Sequence, residues 1–158
     1  MQFTITRRRI GTTHVCHIDD EDAEKLAGRT WRIHPSRHSV LYVVAGDGPS
    51  RARLHNVIGG ALPPGYTWDH INGDGLDNRK ANLRPATHAQ QGQNHRSHGD
   101  SASVFRGVYW YAASRKWQAQ CKLNGKKYHL GYFEDEAEAG AVAAAFRSEH
   151  MPFAVEGR

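Results

Sequence analysis

The sequence predicts an α+β fold in two small units, and three observations carry that prediction. Up to residue 94, short runs alternate apolar and polar side chains, the period of a half-buried strand, and Gly, Pro, Asn and Asp interrupt them. A polar stretch, His95-Arg96-Ser97-His98-Gly99-Asp100-Ser101-Ala102-Ser103, then separates this part from a second set of alternating runs. Finally, Glu134 to Glu149 is an alanine-rich run with Val142 and Phe146, suited to a helix that packs closely on a sheet. At 158 residues, the chain can form one medium domain or two small ones.

The elements follow in order. Residues 3–9 and 13–18 read as strands around Gly11, with Phe3, Ile5, Val15 and Ile18 as apolar positions. Asp19-Asp20-Glu21-Asp22 opens a helix that Gly28 ends, since acids suit the unpaired N–H groups of a first turn. Trp31-Arg32-Ile33 and 39–44 are strands, Ala45 to Ser50 a turn, and 51–58 fits strand or helix equally. Tyr66-Thr67-Trp68 is a strand leading into Asp69-His70, and Arg84-Pro85-Ala86 is a second short one. Thr87, with Gln90 three residues on, is a capping-box start for a helix bearing His88, Gln91 and Asn94. In the second unit, runs at 104–110, 116–123 and 126–131 predict three antiparallel strands, with Asn124-Gly125 as the hairpin turn between the last two.

Composition narrows the class. Hydrophobic content of 39% and 23% charged residues suit a soluble globular protein, and no apolar run approaches the roughly 20 residues that span a bilayer. Met1 to Arg9 is charged with no apolar stretch after it, so no signal peptide is expected and the expected location is cytoplasmic. Cys16 and Cys121 lack any Cys-x-x-Cys partner, which argues for free buried thiols over a thiolate metal site. The net charge is +5, and its placement matters more: residues 101–133 hold six Lys and Arg and no acid. A basic sheet beside an acidic helix suggests a face built for a polyanion.

The densest chemistry lies in Trp68-Asp69-His70-Ile71-Asn72-Gly73-Asp74-Gly75-Leu76-Asp77-Asn78-Arg79-Lys80-Ala81-Asn82-Leu83-Arg84. Phosphodiester hydrolysis needs an activated water, charge stabilisation at the phosphate and help for the leaving oxygen. A neutral histidine at a strand end can serve as general base, and a neighbouring carboxylate can hold a hard divalent ion. On a straight strand Asp69 and His70 point to opposite sides, so the Gly-rich loop after them must bend the chain. Asn82 is placed to lock that loop by bonding its backbone. Each residue also has a structural alternative: Asp69 as a turn former, Asp77 or Asn78 as a turn cap, and Asn82 as a helix cap.

Leu54-His55 and the stretch from Trp68 through Leu83-Arg84-Pro85-Ala86-Thr87 resemble the HNH endonucleases of phage and mobile-intron (homing) type, best over residues 50–96. The resemblance implies a ββα-metal nuclease core over about 50–96, with the earlier residues as a β-rich support. It makes His70 the general base, Asp69 a ligand of one divalent ion (Mg²⁺ or Mn²⁺), and Asn82 the residue that holds the loop and orients His70. The family carries a His or Asn nine residues after that Asn as a second ligand. Gln91 stands there in this chain, with Asn94 and then His88 as substitutes.

Phe105-Arg106-Gly107-Val108, Lys116-Trp117-Gln118-Ala119, His129-Leu130-Gly131-Tyr132-Phe133 and the helix from Glu136 to Ala145 resemble an AP-two/ERF-type DNA-binding domain over about 103–150. That resemblance implies a three-stranded sheet packed on one helix and set into the major groove of double-stranded DNA. Arg106, Tyr109, Tyr111, Gln118, Gln120, Lys122, Lys127 and His129 would face DNA. Trp117 belongs to the core, and Tyr109 and Tyr111 stand where plant members carry arginines. The expected organisation is therefore 1–96 nuclease with support, 97–103 linker and 104–150 DNA-binding domain. The expected activity is metal-dependent DNA cleavage by a monomer or homodimer, a monomer nicking and double-strand cleavage needing a dimer or a second binding event. A DNA-binding regulator with a vestigial nuclease site is the rival, and an RNA-binding protein a weaker third.

Overall fold

The computed structural model describes residues 1–7, 10–36, 40–48, 51–94 and 102–154. The chain is mixed α+β and divides into two compact units, Met1–His88 and Ala89–Arg158. Of the segment expected to be a linker, residues 95–101 lie outside the described residues. Ser103 is buried in the second unit, where its hydroxyl donates to Glu136 Oε1 at 2.8 Å.

In the first unit, β1 (Gln2–Arg7) and β2 (Thr12–His17) form an antiparallel pair. A three-stranded sheet runs in the order β3 (Trp31–Pro35), β4 (Leu41–Ala45), β5 (Ala52–Arg53). The segment that fits strand or helix is both in turn: β5 passes directly into α1 (Leu54–Gly59). The helix wins after Arg53 because Leu54 and Ile58, four residues apart, both bury on one face. Gly59 is required where α1 meets Trp68, since a Cβ there would lie 2.2 Å from the indole ring. Ile5, Cys16, Ile18, Ile33, Val43, Leu54, Ile58 and Leu83 form the core. Burying a side chain such as Leu54 contributes about 1.5–3 kcal/mol.

The acidic run at 19–22 departs from the expected capped helix. Asp20–Leu26 is a 3₁₀-helix, and Asp19 makes no side-chain cap bond. These acids tie distant chain together instead. Asp19 Oδ2 accepts from the Lys80 backbone N–H at 2.8 Å, and Glu21 pairs with the Lys80 ammonium. Buried Asp22 pairs with Lys25 at 2.8 Å and with Lys80 at 3.4 Å. Two lysines against one desolvated carboxylate offset its burial, and its pKa is lowered despite that burial.

The first unit ends in the hairpin of β6 (Tyr66–His70) and β7 (Leu83–Thr87), and α2 (His88–Gln93) follows at once. The hairpin pairs Asp69 with Arg84 and His70 with Leu83.

In the second unit, β8 (Val108–Tyr111), β9 (Lys116–Leu123) and β10 (Lys126–Phe133) form an antiparallel sheet with β9 central. Asn124 and Gly125 turn the β9–β10 hairpin, both with positive φ (49° and 82°) as a type I′ turn requires. Helix α3 (Glu136–His150) covers one sheet face, and the Asp135 side chain caps it by accepting from the Glu138 N–H at 2.8 Å. Ala139 and Ala143, one turn apart, pack against Val108, Ala119 and Cys121, with Trp117, Leu130, Phe133 and Phe146 around them. Both cysteines are free and buried. No described helix is long and apolar enough to cross a membrane.

Candidate active site and nucleic-acid face

The loop between β6 and β7 is shaped by its own polar side chains. Asn82 is its centre. Its Oδ1 accepts from the Asn72 N–H at 2.9 Å, and its Nδ2 donates to Asn72 Oδ1 at 2.9 Å and to the Asp77 carbonyl at 2.7 Å. Asn72 Nδ2 in turn donates to Asp77 Oδ2 at 3.0 Å, and Asp77 takes a two-pronged bond from Arg79 at 2.8 and 2.7 Å. That guanidinium holds the Asp77 carboxyl below the usual carboxylate range against the cost of burial. Asp74 Oδ1 accepts from the Leu76 N–H at 3.0 Å, and the loop joins β2 through His17 N–H to the Leu76 carbonyl at 2.9 Å. Few of these groups could be buried unpaired without loss.

The loop presses His70 into the interior. His70 is only 5% exposed, and its Nε2 lies 3.3 Å from Asn78 Oδ1. Two rings wall it: His55, edge-on at 4.9 Å between centroids, and Tyr42 at 5.9 Å. Burial lowers the His70 pKa, with Asn78 and the nearby acids opposing, and pushes His55 down to about 3. Lowered in this way, the His70 ring is neutral at neutral pH, the form a general base needs. Gly75 lets the loop close on β4, because a Cβ there would lie 2.3 Å from the Leu41 carbonyl and 2.7 Å from the Tyr42 ring.

Asp69, one residue before, is held differently. Its Oδ2 is 3.1 Å from both Nε and Nη2 of Arg84 on the partner strand, and the pair is largely shielded from solvent. Asp69, His70 and Asn82 thus share the first unit, and His88 is exposed at its end. Gln91 and Asn94 are half-buried residues of the second unit, joined by the Asn94 N–H donating to the Gln91 carbonyl at 3.0 Å. Among the described residues, no group of three His, Cys, Asp or Glu side chains is placed to hold a metal ion.

On the second unit, strand register sorts the expected contact residues. Tyr109 faces Gln118, His129 faces Gln120 and Lys127 faces Lys122 across neighbouring strands. With Tyr111 two residues from Tyr109, they share the sheet face opposite α3. Arg106 precedes β8 and is half-buried: its Nη2 donates to the Gln93 carbonyl at 2.6 Å, and its own carbonyl accepts from buried Arg147. Tyr132 joins the face, a residue that sequence reasoning missed. Strict alternation would point it away from His129, but the register shifts between His129 and Gly131. The Tyr132 ring consequently lies 4.6 Å from His129 and 5.2 Å from Tyr111. Gly131 inside a strand was the available signal for a bulge.

Asn78, Arg84, His55 and Tyr42 were also missed as site residues. Asn78 and Arg84 lie in the motif but read there as turn and strand residues, and no spacing rule joins Tyr42 to His70.

Residues 55–93 match the HNH endonuclease family, which supports a nuclease or DNA-binding role. The chain is 29% identical over 71 residues to Protein 3.8 of Escherichia phage T7, covering 45% of this chain and 59% of that protein. It is 31% identical over 84 residues to an ethylene-responsive transcription factor-like protein of Arabidopsis thaliana, covering 52% of this chain and 35% of the relative. The chain therefore spans less than two thirds of the length of either relative. No solved structure matches.

Proposed function

We propose that the chain is a DNA endonuclease of the HNH type that uses one divalent ion, Mg²⁺ or Mn²⁺, and that its second unit holds duplex DNA on the exposed sheet face. The observation that carries this reading is His70: a buried ring, kept neutral, at a strand end beside a carboxylate, in a loop fixed by Asn82. The match to HNH endonucleases over residues 55–93 supports it.

In this reading His70 takes a proton from water as the water attacks phosphorus. Asn82 keeps the loop, and with it the ring, in one place. The donor chemistry suits a small hard cation: the Asp69 carboxylate would be one ligand, and Gln91 and then Asn94 are the candidates for an amide-oxygen ligand. When bound, the ion would supply positive charge against the phosphate and the leaving 3′ oxygen. Arg84 orients the Asp69 carboxylate through Oδ2. Lys122 and Lys127 offer charge to the DNA backbone, and Tyr109, Tyr111, Gln118, Gln120 and His129 meet the groove.

A second reading, a DNA-binding regulator with a vestigial site, draws on one observation: Arg84 occupies one oxygen of Asp69. Plasmid cleavage with Mg²⁺ or Mn²⁺, wild type against His70→Ala and Asp69→Ala, separates the two. Cleavage by wild type and loss of roughly a hundredfold or more in His70→Ala is the expected result. Equal cleavage by both refutes His70 as the base, and binding without any cleavage favours the regulator.

A further inference from the structure

Asn78 is fully buried. Its backbone N–H donates to the His17 carbonyl at 2.8 Å, and its Nδ2 donates to the Gly75 carbonyl at 3.3 Å. With the nitrogen end of the amide committed to a carbonyl, the oxygen end faces His70 Nε2 at 3.3 Å. An amide oxygen only accepts, so that bond requires the ring proton to sit on Nε2.

We infer that Asn78 is a positioning residue for the proposed reaction, whose side chain holds His70 as the Nε2–H tautomer and places the ring's basic lone pair on Nδ1. This rests on the reading of His70 as the general base. A carboxylate at the same place would hold the same tautomer but would also favour the charged ring. The amide fixes the proton without adding charge. The His55 and Tyr42 rings flank the His70 ring, with centroids 4.9 and 5.9 Å away. The base would then be presented in one orientation, with less rotamer freedom to lose at the moment of attack.

The test reads the tautomer directly, by ¹H–¹⁵N correlation through the His70 ring in the full chain at neutral pH, alongside steady-state cleavage. The wild-type ring is expected to show a protonated Nε2 and an unprotonated Nδ1. In Asn78→Leu the tautomers should mix, and kcat should fall roughly tenfold or more with KM for DNA little changed. Asn78→Asp, which keeps an acceptor facing Nε2, should keep the proton on Nε2, whether the ring is neutral or charged. A wild-type ring protonated on Nδ1, or an Asn78→Leu ring that keeps a pure Nε2–H tautomer, overturns the assignment. Should Asn78→Leu fail to fold, the wild-type spectrum and that of Asn78→Asp still decide, since an unprotonated Nε2 in a folded Asn78→Asp also overturns it. Wild-type protein with the expected tautomer but no cleavage would refute the nuclease reading and leave the orientation of the ring by Asn78 standing.

Discussion

Asn82 is where the loop's geometry can be tested with a magnitude. Its side chain makes three hydrogen bonds, one received from the Asn72 N–H and two given to Asn72 Oδ1 and the Asp77 carbonyl, and the residue is 8% exposed. Asn82→Ala removes all three. At roughly 0.5–1.5 kcal/mol net for each bond, the cost is about 3 kcal/mol. Asn82→Asp sharpens the test. The new carboxylate still accepts from the Asn72 N–H, but it turns an acceptor toward Asn72 Oδ1 and the Asp77 carbonyl, where a donor stood. It should cost at least as much as alanine at neutral pH and recover part of the loss in acid, where a protonated carboxyl donates again. Urea unfolding of the full chain, followed by midpoint and slope, measures both variants. A cost under about 1 kcal/mol for Asn82→Ala, or an Asn82→Asp protein as stable as wild type, would show that the loop is held by other means.

Gly75→Ala should cost about 1–3 kcal/mol by pushing a methyl group into the Leu41 carbonyl and the Tyr42 ring, and unfolding midpoints check it; a neutral result would refute the tight closure of loop on β4. The folded pKa of His55, about 3, lies below its ordinary value of 6.5, so below pH 6.5 the unfolded chain binds a proton that the folded chain refuses. Its contribution is full above pH 6.5 and is lost as pH falls toward 3, at up to about 1.4 kcal/mol per pH unit. His55→Leu should flatten that dependence between pH 7 and 5 in urea titrations, and an unchanged slope would refute the burial of a neutral ring. Replacing Lys122 and Lys127 together by alanine should reduce the log–log salt slope of duplex binding by about 2 in fluorescence anisotropy, whereas an unaltered slope would remove both from the DNA backbone.

What the sequence made legible follows from how local each signal was. Alternation of period two placed the strands of both units, and Asn124-Gly125 located the β9–β10 turn because its positive φ values are a property of two residues alone. The acids at 19–22 show the opposite case. Their partners, Lys25 on the same turn and Lys80 some sixty residues on, draw the segment into a 3₁₀-helix that no capping rule could foresee. On the sheet face, the shift between His129 and Gly131 moved Tyr132 to the side that alternation denied it. Asp69, His70 and Asn82 stood out from sequence because they sit within one loop and its strands. His55 and Tyr42 did not, since their contact with His70 exists only once β4 and α1 fold beside β6.

The charge arrangement around His70 suits the proposed approach of a phosphate. Carboxylates beside an approaching polyanion oppose it unless they are compensated. Both acids that bracket the ring in the hairpin carry an arginine of their own: Asp69 has Arg84 at 3.1 Å, and Asp77 has Arg79 at 2.7 Å. The remaining work of shaping the loop falls to amides, Asn72, Asn78 and Asn82, which bond without charge. Among the described residues, Asp74 is the hairpin acid without an arginine partner, and its carboxylate accepts from the Leu76 N–H. A loop built for stability alone would gain little from burying Asn78 and Asn82 in place of apolar side chains, since such bonds net only about 1 kcal/mol each. The same loop makes sense as a rigid, nearly neutral cradle. In the proposed nuclease it would hold a neutral histidine in one orientation beside an anion and the cation that accompanies it.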